Sequence, residues 1–149
     1  MSQAYTNLLT HIVFSTKQRL ALIDERIKSE LHAYLGGLIK ELGGKPYIIN
    51  GTSDHVHLLV SLPPKIALSD AVRFIKSNST NFVKQKFGNE KFSWQGGYGA
   101  FSVSRSQSKN VIGYIQNQEE HHRKFDFRQE FELMLEKNEV EHDARYVWN

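Results

Sequence analysis

Apolar and β-branched residues form four short runs along the chain, each bounded by residues that are typical of turns. Runs of this length and composition predict β-strands. The third run, HVHLLVSL, follows the turn sequence GTSD and stops at Pro63, because proline cannot continue the hydrogen bonding between strands. The predicted strands cover residues 8–14, 47–50, 55–62 and 100–104.

Between and after these runs, apolar residues recur at intervals of three and four, which predicts helices with one buried face. Asp24 can cap the first helix, and the pair Gly43 and Gly44 ends it. The tail sequence FRQEFELMLEKNEVE has the same spacing. The predicted helices begin after Asp24, at Ser69, at Ser106 or Ser108 (running to about His122) and at Phe127.

The order of these elements, β-α-β-β-α-β followed by helices, predicts a ferredoxin-like split βαβ fold of the α+β class. In that topology the third strand is central and lies beside the first. Alternation along the third strand then points Val56, Leu58 and Val60 toward the first two helices, and His55 and His57 toward the opposite face. The third helix is the natural cover for that face, so we expect helices on both faces of the antiparallel sheet.

The composition narrows the class of protein. The chain has 149 residues, of which 40% are apolar and 23% charged, and no repeat or linker, so we expect residues 1–149 to form one domain, with helices from about 106 to 138 after the sheet. The absence of cysteine excludes disulfides and thiolate metal sites and is typical of the reducing cytoplasm. No segment resembles a signal peptide or a membrane span. The net charge of +3 permits a nucleic-acid partner.

His55 and His57 are expected to lie side by side, because one residue separates them in a strand. Two adjacent imidazoles make half of a site for a divalent metal ion. Taken alone, the pattern is more often two polar strand positions satisfied by neighbours. A central strand changes that balance, because a buried histidine without a partner is costly. Asp54 or His11 can supply such a partner, or orient a metal-binding histidine through a hydrogen bond to its other ring nitrogen.

Tyr114 and Gln118 are four residues apart in the predicted third helix and so share one of its faces. Each residue alone is usually a packing or solvent-exposed side chain. Placed over the histidine face, a metal ion, an amide oxygen and a tyrosine nucleophile are equipped to cut a phosphodiester. His121 is a rival third ligand, because it returns to nearly the same helix face. Gln118 favours Mg²⁺ or Mn²⁺, whereas a third histidine favours zinc.

Basic side chains occur along the second helix and around the third. Small polar residues stand between those of the second helix, so this surface could follow a phosphate backbone, although a solvated helix face explains it equally well. The basic residues near the start of the third helix add positive charge where phosphate is favoured. The candidate nucleic-acid contacts are Arg73, Lys76, Arg105, Lys109 and Arg123.

Three motifs in order, HVHLLVSLPP, WQGGYGAFSVS and YIQNQEEHHR, resemble a known family. They are similar to the single-tyrosine HUH transposases of the smallest bacterial insertion sequences, whose relatives include the REP-associated tyrosine transposases. The opening HIVFSTK and the ending DARYVW extend the resemblance over nearly the whole chain. Residues 63–80 match no family motif residue by residue, so the residues that contact a DNA hairpin stay unassigned.

The resemblance implies an enzyme that cuts and rejoins single-stranded DNA. It implies Mg²⁺ or Mn²⁺ bound by His55, His57 and Gln118, and Tyr114 as a nucleophile that leaves a 5′-phosphotyrosine and a free 3′-OH. It also implies a homodimer that binds hairpins at the element ends, in which the tyrosine helix can act in the partner's site. One alternative is a domesticated hairpin-binding protein without transposition activity. Another is a small zinc enzyme that uses His121.

Overall fold

The sheet of this protein is antiparallel and has four strands. The structure is a computed structural model that describes residues 3–143 and 145–148. The strands lie in the order β2-β3-β1-β4, and each pairs antiparallel with its neighbours. This order confirms the ferredoxin-like α+β fold and the central third strand. The strands are β1 (Leu9–Ser15), β2 (Lys45–Gly51), β3 (His55–Ser61) and β4 (Gly99–Ser102).

Five helices accompany the sheet in the described residues. The first is capped as expected, since the Asp24 carboxylate accepts a hydrogen bond from the Ile27 amide at 3.0 Å. The second begins one residue before the predicted Ser69, because the backbone is already helical after the extended residue Ala67. None of the described helices combines the length and the apolar character needed to cross a membrane. The helices are α1 (Glu25–Glu41), α2 (Leu68–Phe87), α3 (Ser108–Gln116), α4 (Gln118–His121) and α5 (Phe127–Lys137).

One face of the sheet carries the larger apolar core. Val56, Leu58 and Val60 of β3 are fully buried there, in one cluster with residues of α1 and α2. This confirms the face predicted from the alternation along β3. Burial of a side chain of this size stabilises the fold by roughly 1.5–3 kcal/mol. The face therefore supplies much of the stability that holds β3 in place.

The prediction of a single third helix running to about His122 is wrong. The helix is interrupted at Asn117, where φ is −96° and ψ is 27°. The Asn50 side chain on β2 donates hydrogen bonds to the carbonyl oxygens of Ile115 at 2.9 Å and Gln116 at 3.2 Å. These carbonyls lie at the end of α3, where helical donors run out. The contact from β2 thus satisfies the end of α3 and redirects the residues that follow.

The second face of the sheet is covered by α5 as well as by the α3–α4 segment. A capping box starts α5: the Asp126 carboxylate accepts from the Gln129 amide at 2.9 Å, and the Gln129 side chain accepts from the Asp126 amide at 3.0 Å. Phe127 and Phe131 of α5 join an apolar cluster with Val13 of β1. The expectation that the tyrosine helix covers this face was therefore incomplete. The polar side chains of β3 lie between the two covering segments.

Candidate active site

His55 has polar partners at both ring nitrogens. Its Nδ1 lies 2.7 Å from Asp54 Oδ1 and 3.1 Å from Thr52 Oγ1, and its Nε2 lies 2.9 Å from Gln118 Oε1. The ring is fully buried and stacks on Phe127, with 4.4 Å between centroids. Burial opposes the ionisation of Asp54, but hydrogen bonding to His55 lowers its pKa below the usual value. The contact predicted between Asp54 and His55 is thus present and involves a carboxylate.

His57 lies between His11 of β1 and Glu130 of α5. Its Nδ1 is 2.8 Å from His11 Nε2, which is the predicted contact, and its Nε2 is 3.1 Å from Glu130 Oε1. Burial lowers the pKa of His57 to about 4 and that of His11 to about 3, in the latter case helped by the neighbouring His57. Both rings are therefore neutral near pH 7. A neutral imidazole has a nitrogen lone pair to offer a metal ion.

Glu130 lies at the centre of this cluster, and sequence reasoning missed it. Its side chain is 1% exposed, and its Oε1 lies 2.9 Å from His122 Nε2, 3.1 Å from His57 Nε2 and 3.4 Å from His55 Nε2. Burial opposes ionisation, but the hydrogen bonds with His122 and His57 hold the pKa of this carboxyl far below its usual range. Glu130 is therefore a buried carboxylate that depends on its neighbours.

The sequence did carry a signal for Glu130. It lies three residues after Phe127 and four before Met134, on the apolar face of α5, and both of these neighbours are buried. A lone carboxylate on an apolar helix face needs polar partners. The helical period identifies this face, but it does not identify partners that lie on a strand far away in the sequence.

Tyr114 and Gln118 meet the same carboxylate. The Tyr114 hydroxyl donates a hydrogen bond to Glu130 Oε2, and Gln118 Nε2 donates to the same oxygen at 3.1 Å. Burial, together with the negative charge of Glu130, raises the pKa of Tyr114 above its ordinary value. The structure thus brings His55, His57, Tyr114 and Gln118 together around Glu130.

His122 joins this cluster, and the predicted rival His121 does not. The interruption at Asn117 removes the straight helix on which the prediction for His121 rested. The His121 ring instead lies beside the Tyr114 ring, with 4.7 Å between centroids. Among the described residues, one ligand atom each from His55, His122 and Glu130 lie within 4.8 Å of one another, a grouping that could hold a metal ion.

Lys76 differs from the other predicted nucleic-acid contacts because it is half-buried and already bonded. Its Nζ donates to the carbonyl oxygens of Gln95 at 2.9 Å and Gly97 at 2.5 Å. Burial lowers the pKa of Lys76 to about 8. Lys76 therefore fastens the loop before β4 to α2.

The remaining predicted contacts are exposed. Arg73 and Arg123 each pair with a carboxylate three residues away, at 3.3 and 3.2 Å. Arg105 lies near the start of α3, where its Nη1 is 3.5 Å from Ser108 Oγ, and Lys109 is exposed on α3. Exposed ion pairs contribute only about 0–1 kcal/mol, so a phosphate can displace them at little cost.

A cavity of about 700 Å³ opens beside Tyr114 and Glu130. Phe101 and Met134 supply apolar wall, and Asn110 is one of several amide side chains along it. Cavities of roughly 300–1,000 Å³ accept small organic ligands, a range that includes a nucleotide. The cavity therefore leaves the Tyr114 side chain within reach of a ligand of that size.

Comparisons with known proteins agree on one family. Residues 4–118 match the family model described as "Transposase IS200 like". The chain is 26% identical over 118 residues to the transposase for insertion sequence element IS200 of Salmonella typhimurium (strain LT2), an alignment that covers 75% of this chain and 77% of the relative. The same values hold for the IS200 transposase of Salmonella typhi.

Two solved structures share the fold. A chain from Deinococcus radiodurans R1, assigned as a transposase, superposes with a TM-score of 0.64 at 22% identity, covering 79% of this chain and 96% of that one. A REP-associated tyrosine transposase bound to a REP hairpin gives a TM-score of 0.60 at 14% identity, covering 82% of this chain and 73% of that one. At these identities the likeness concerns the fold alone.

Proposed function

Because the chain belongs to the IS200-like transposase family, we propose that it cleaves and rejoins single-stranded DNA at the ends of an insertion sequence, with Tyr114 as the nucleophile. The observation that carries this proposal is the convergence of Tyr114, Gln118, His55 and His57 on one buried carboxylate. No other described tyrosine has a comparable set of partners. Residues 1–149 are proposed to act as one unit, in the cytoplasm, where bacterial DNA lies.

In the proposed reaction, Tyr114 Oη attacks the phosphorus atom and the bond from phosphorus to O3′ breaks. The 5′-phosphate remains on the tyrosine, and the strand that leaves ends in a 3′-OH. The phenolic proton passes to solvent, and the leaving 3′ oxygen takes up a proton from solvent. A second 3′-OH then attacks the phosphorus atom, its proton passes to solvent, and the bond from phosphorus to Tyr114 Oη breaks. The phenolate takes up a proton from solvent, which restores the phenol. No ATP is needed, because each step exchanges one ester of phosphate for another.

The donor atoms fit a divalent metal ion, which we propose to be Mg²⁺ or Mn²⁺ held by His55, His57 and Gln118. If His55 donates from Nδ1 to Asp54, its Nε2 carries a lone pair that faces Gln118 Oε1 at 2.9 Å. Two acceptors at this distance repel each other unless a cation lies between them. Asp54 and His11 are proposed to orient the two imidazoles. When bound, the ion supplies positive charge to the oxygens of the scissile phosphate.

We propose that the substrate carries DNA hairpins beside its cleavage sites. The solved REP-associated tyrosine transposase, which is bound to a REP hairpin, supports this part of the proposal. A homodimer is also proposed. Within one chain the rings of Tyr114 and His57 are already 5.8 Å apart, so exchange of the tyrosine helix between subunits would be an optional arrangement. The proposed contacts to the DNA backbone are the exposed residues Arg73, Arg105, Lys109 and Arg123, whereas Lys76 is already bonded to the loop before β4.

The proposal is tested by replacing Tyr114 with phenylalanine. Wild-type protein, Tyr114→Phe and the control Tyr34→Phe are mixed with Mn²⁺ and single-stranded DNA that spans the ends of the encoding element. Tyr34 is a suitable control because it stacks on Phe82, far from the site. On a denaturing gel we expect a covalent adduct from wild type and Tyr34→Phe, and none from Tyr114→Phe. An adduct in Tyr114→Phe would show that another group attacks the DNA.

One observation favours a second candidate, a domesticated hairpin-binding protein. Burial and Glu130 raise the pKa of Tyr114, which opposes its activation as a nucleophile. Hairpin binding by the wild type, without any cleavage in Mg²⁺ or Mn²⁺, would support this candidate.

A further inference from the structure

Glu130 lies between the candidate metal ligands and the candidate nucleophile, outside the residues 4–118 that match the family model. We infer that Glu130 bridges them: Oε1 is a further ligand of the metal ion, and Oε2 holds the Tyr114 hydroxyl beside it. This inference rests on the proposed function. Each half of it follows from a different oxygen atom of the same side chain.

Oε1 has one more imidazole neighbour than it has hydrogen bonds. Three imidazole Nε2 atoms approach it, from His122 at 2.9 Å, His57 at 3.1 Å and His55 at 3.4 Å. Its two lone pairs can accept the hydrogen bonds from His122 and His57, which leaves the contact with His55 without a hydrogen bond. If His55 donates from Nδ1 to Asp54, its Nε2 carries a lone pair that faces Oε1. A cation among these acceptor atoms would turn their repulsion into attraction.

The distances around Oε1 and the negative charge of Glu130 also support its role as a metal ligand. Ligands at right angles around an ion with bonds of about 2.1 Å lie about 3 Å from each other. The separations from Oε1 to the two proposed histidine ligands, 3.1 Å to His57 and 3.4 Å to His55, are close to this value. Histidine and glutamine ligands are neutral and would leave the full charge of the ion buried. Glu130 is the only buried acidic residue in the described part of the chain, and its carboxylate lies among the donor atoms, whereas Asp54 contacts the other side of the His55 ring.

The second oxygen joins the ion to the nucleophile. Oε2 accepts hydrogen bonds from the Tyr114 hydroxyl and, at 3.1 Å, from Gln118 Nε2. This contact also fixes the side-chain amide of Gln118, so that the amide oxygen of Gln118 faces His55. A carboxylate that binds the ion through Oε1 therefore holds the phenol oxygen close to that ion, where the scissile phosphate must also lie.

The metal half is tested by Mn²⁺ titration of the full chain without DNA, followed by electron paramagnetic resonance. Glu130→Gln should raise the Kd for Mn²⁺ at least tenfold, because a charged ligand is lost. The matched control Glu136→Gln removes the same charge from an exposed position on α5 and should keep the wild-type Kd. A wild-type Kd in Glu130→Gln would overturn the inference.

The variant His55→Ala separates this inference from the proposed function. If the wild type binds no Mn²⁺, or His55→Ala binds as well as wild type, the proposed metal site fails. If His55→Ala loses the ion and Glu130→Gln keeps it, only the role of Glu130 fails. Should Glu130→Gln prove unfolded by circular dichroism, Glu130→Asp retains the charge but withdraws the carboxylate by one methylene. A wild-type Kd in Glu130→Asp would likewise overturn the inference.

The nucleophile half is tested by the rate of adduct formation at saturating Mn²⁺. At saturating Mn²⁺ a weaker metal affinity no longer lowers the rate. Any remaining decrease in the rate of adduct formation therefore reflects the position of the Tyr114 hydroxyl. We expect Glu130→Gln to form the adduct at least tenfold more slowly than Glu136→Gln. Equal rates at saturation would show that Oε2 does not position the phenol.

Discussion

The two faces of the sheet use alternate residues of the same strand for different purposes. On one face, Leu58 of β3 is buried in an apolar cluster with α1 and α2. On the other, His57 is equally buried but lies between His11 and Glu130. Apolar side chains stabilise the fold by leaving water, whereas buried polar groups stabilise it only when they find partners. Stability and chemistry can therefore be changed separately by substituting adjacent residues.

The largest effect on stability is expected on the apolar face. Leu58→Ala should lower the free energy of unfolding by about 2–5 kcal/mol, because it leaves a cavity in a fully buried cluster. The matched control Leu20→Ala alters a side chain that is 51% exposed and should change it by no more than about 0.5 kcal/mol. Urea unfolding followed by circular dichroism measures both. An equal decrease in the free energy of unfolding for the two variants would contradict the assignment of this face as the core.

The next effect is expected on the polar face, one residue away. His57→Ala should weaken Mn²⁺ binding about 10–100-fold or more, because a proposed ligand is removed. In the metal-free protein it should cost only about 1–3 kcal/mol, the typical penalty for unpaired buried polar groups. Isothermal titration calorimetry measures the affinity, and His32→Ala on α1 serves as the histidine control. If His32→Ala weakens Mn²⁺ binding as much as His57→Ala does, the metal site does not lie on the polar face of β3.

The polar face should also make the protein sensitive to acid. Burial lowers the pKa of His57 to about 4 and that of His11 to about 3, from 6.5. Below pH 6.5 the unfolded chain therefore binds more protons than the folded one, and stability falls as the pH falls toward 4. Each group contributes up to about 1.4 kcal/mol per pH unit.

Urea unfolding of the metal-free protein at pH 7, 6, 5 and 4 measures this slope. The variant His11→Phe should have a shallower slope than wild type between pH 6.5 and 4, because it removes one of the two groups. A slope that is unchanged in His11→Phe would show that the histidine pair does not carry the acid sensitivity.

The smallest effect is expected at the exposed basic residues. Lys109→Ala should leave the free energy of unfolding within about 0.5 kcal/mol of wild type and weaken single-stranded DNA binding modestly. The slope of log affinity against log salt should fall by about 1, as expected for the loss of one phosphate contact. Fluorescence anisotropy at several salt concentrations measures it, with Lys40→Ala on α1 as the control. Identical slopes for Lys109→Ala and wild type would remove Lys109 from the DNA contacts.

The fold was predictable from the sequence because its periods are regular. Alternation along β3 placed Leu58 and His57 on opposite faces, and the element order gave the central position of that strand. The contacts of Asp54 with His55 and of His11 with His57 followed from sequence adjacency and strand pairing. Each of these features depends on local rules or on a known topology.

The missed features depend on contacts between distant parts of the chain. The interruption at Asn117 accompanies a contact from Asn50 on β2, which no helical period reveals. His122, which follows that interruption, joins the cluster in place of the predicted His121. Glu130 could be recognised as a charge on an apolar face, but its partners became known only from the packing of α5 on β3.

The most direct test of the central claim is to identify the residue that becomes attached to DNA. After reaction with single-stranded DNA in Mn²⁺, digestion with nuclease and then trypsin should leave the nucleotide on the peptide 110–123, which contains Tyr114 as its only tyrosine. We predict that mass spectrometry finds the added nucleotide mass on Tyr114 in wild type, and no modified peptide in Tyr114→Phe. A nucleotide on any other residue, or a cleaved strand without a protein adduct, would contradict the proposed mechanism.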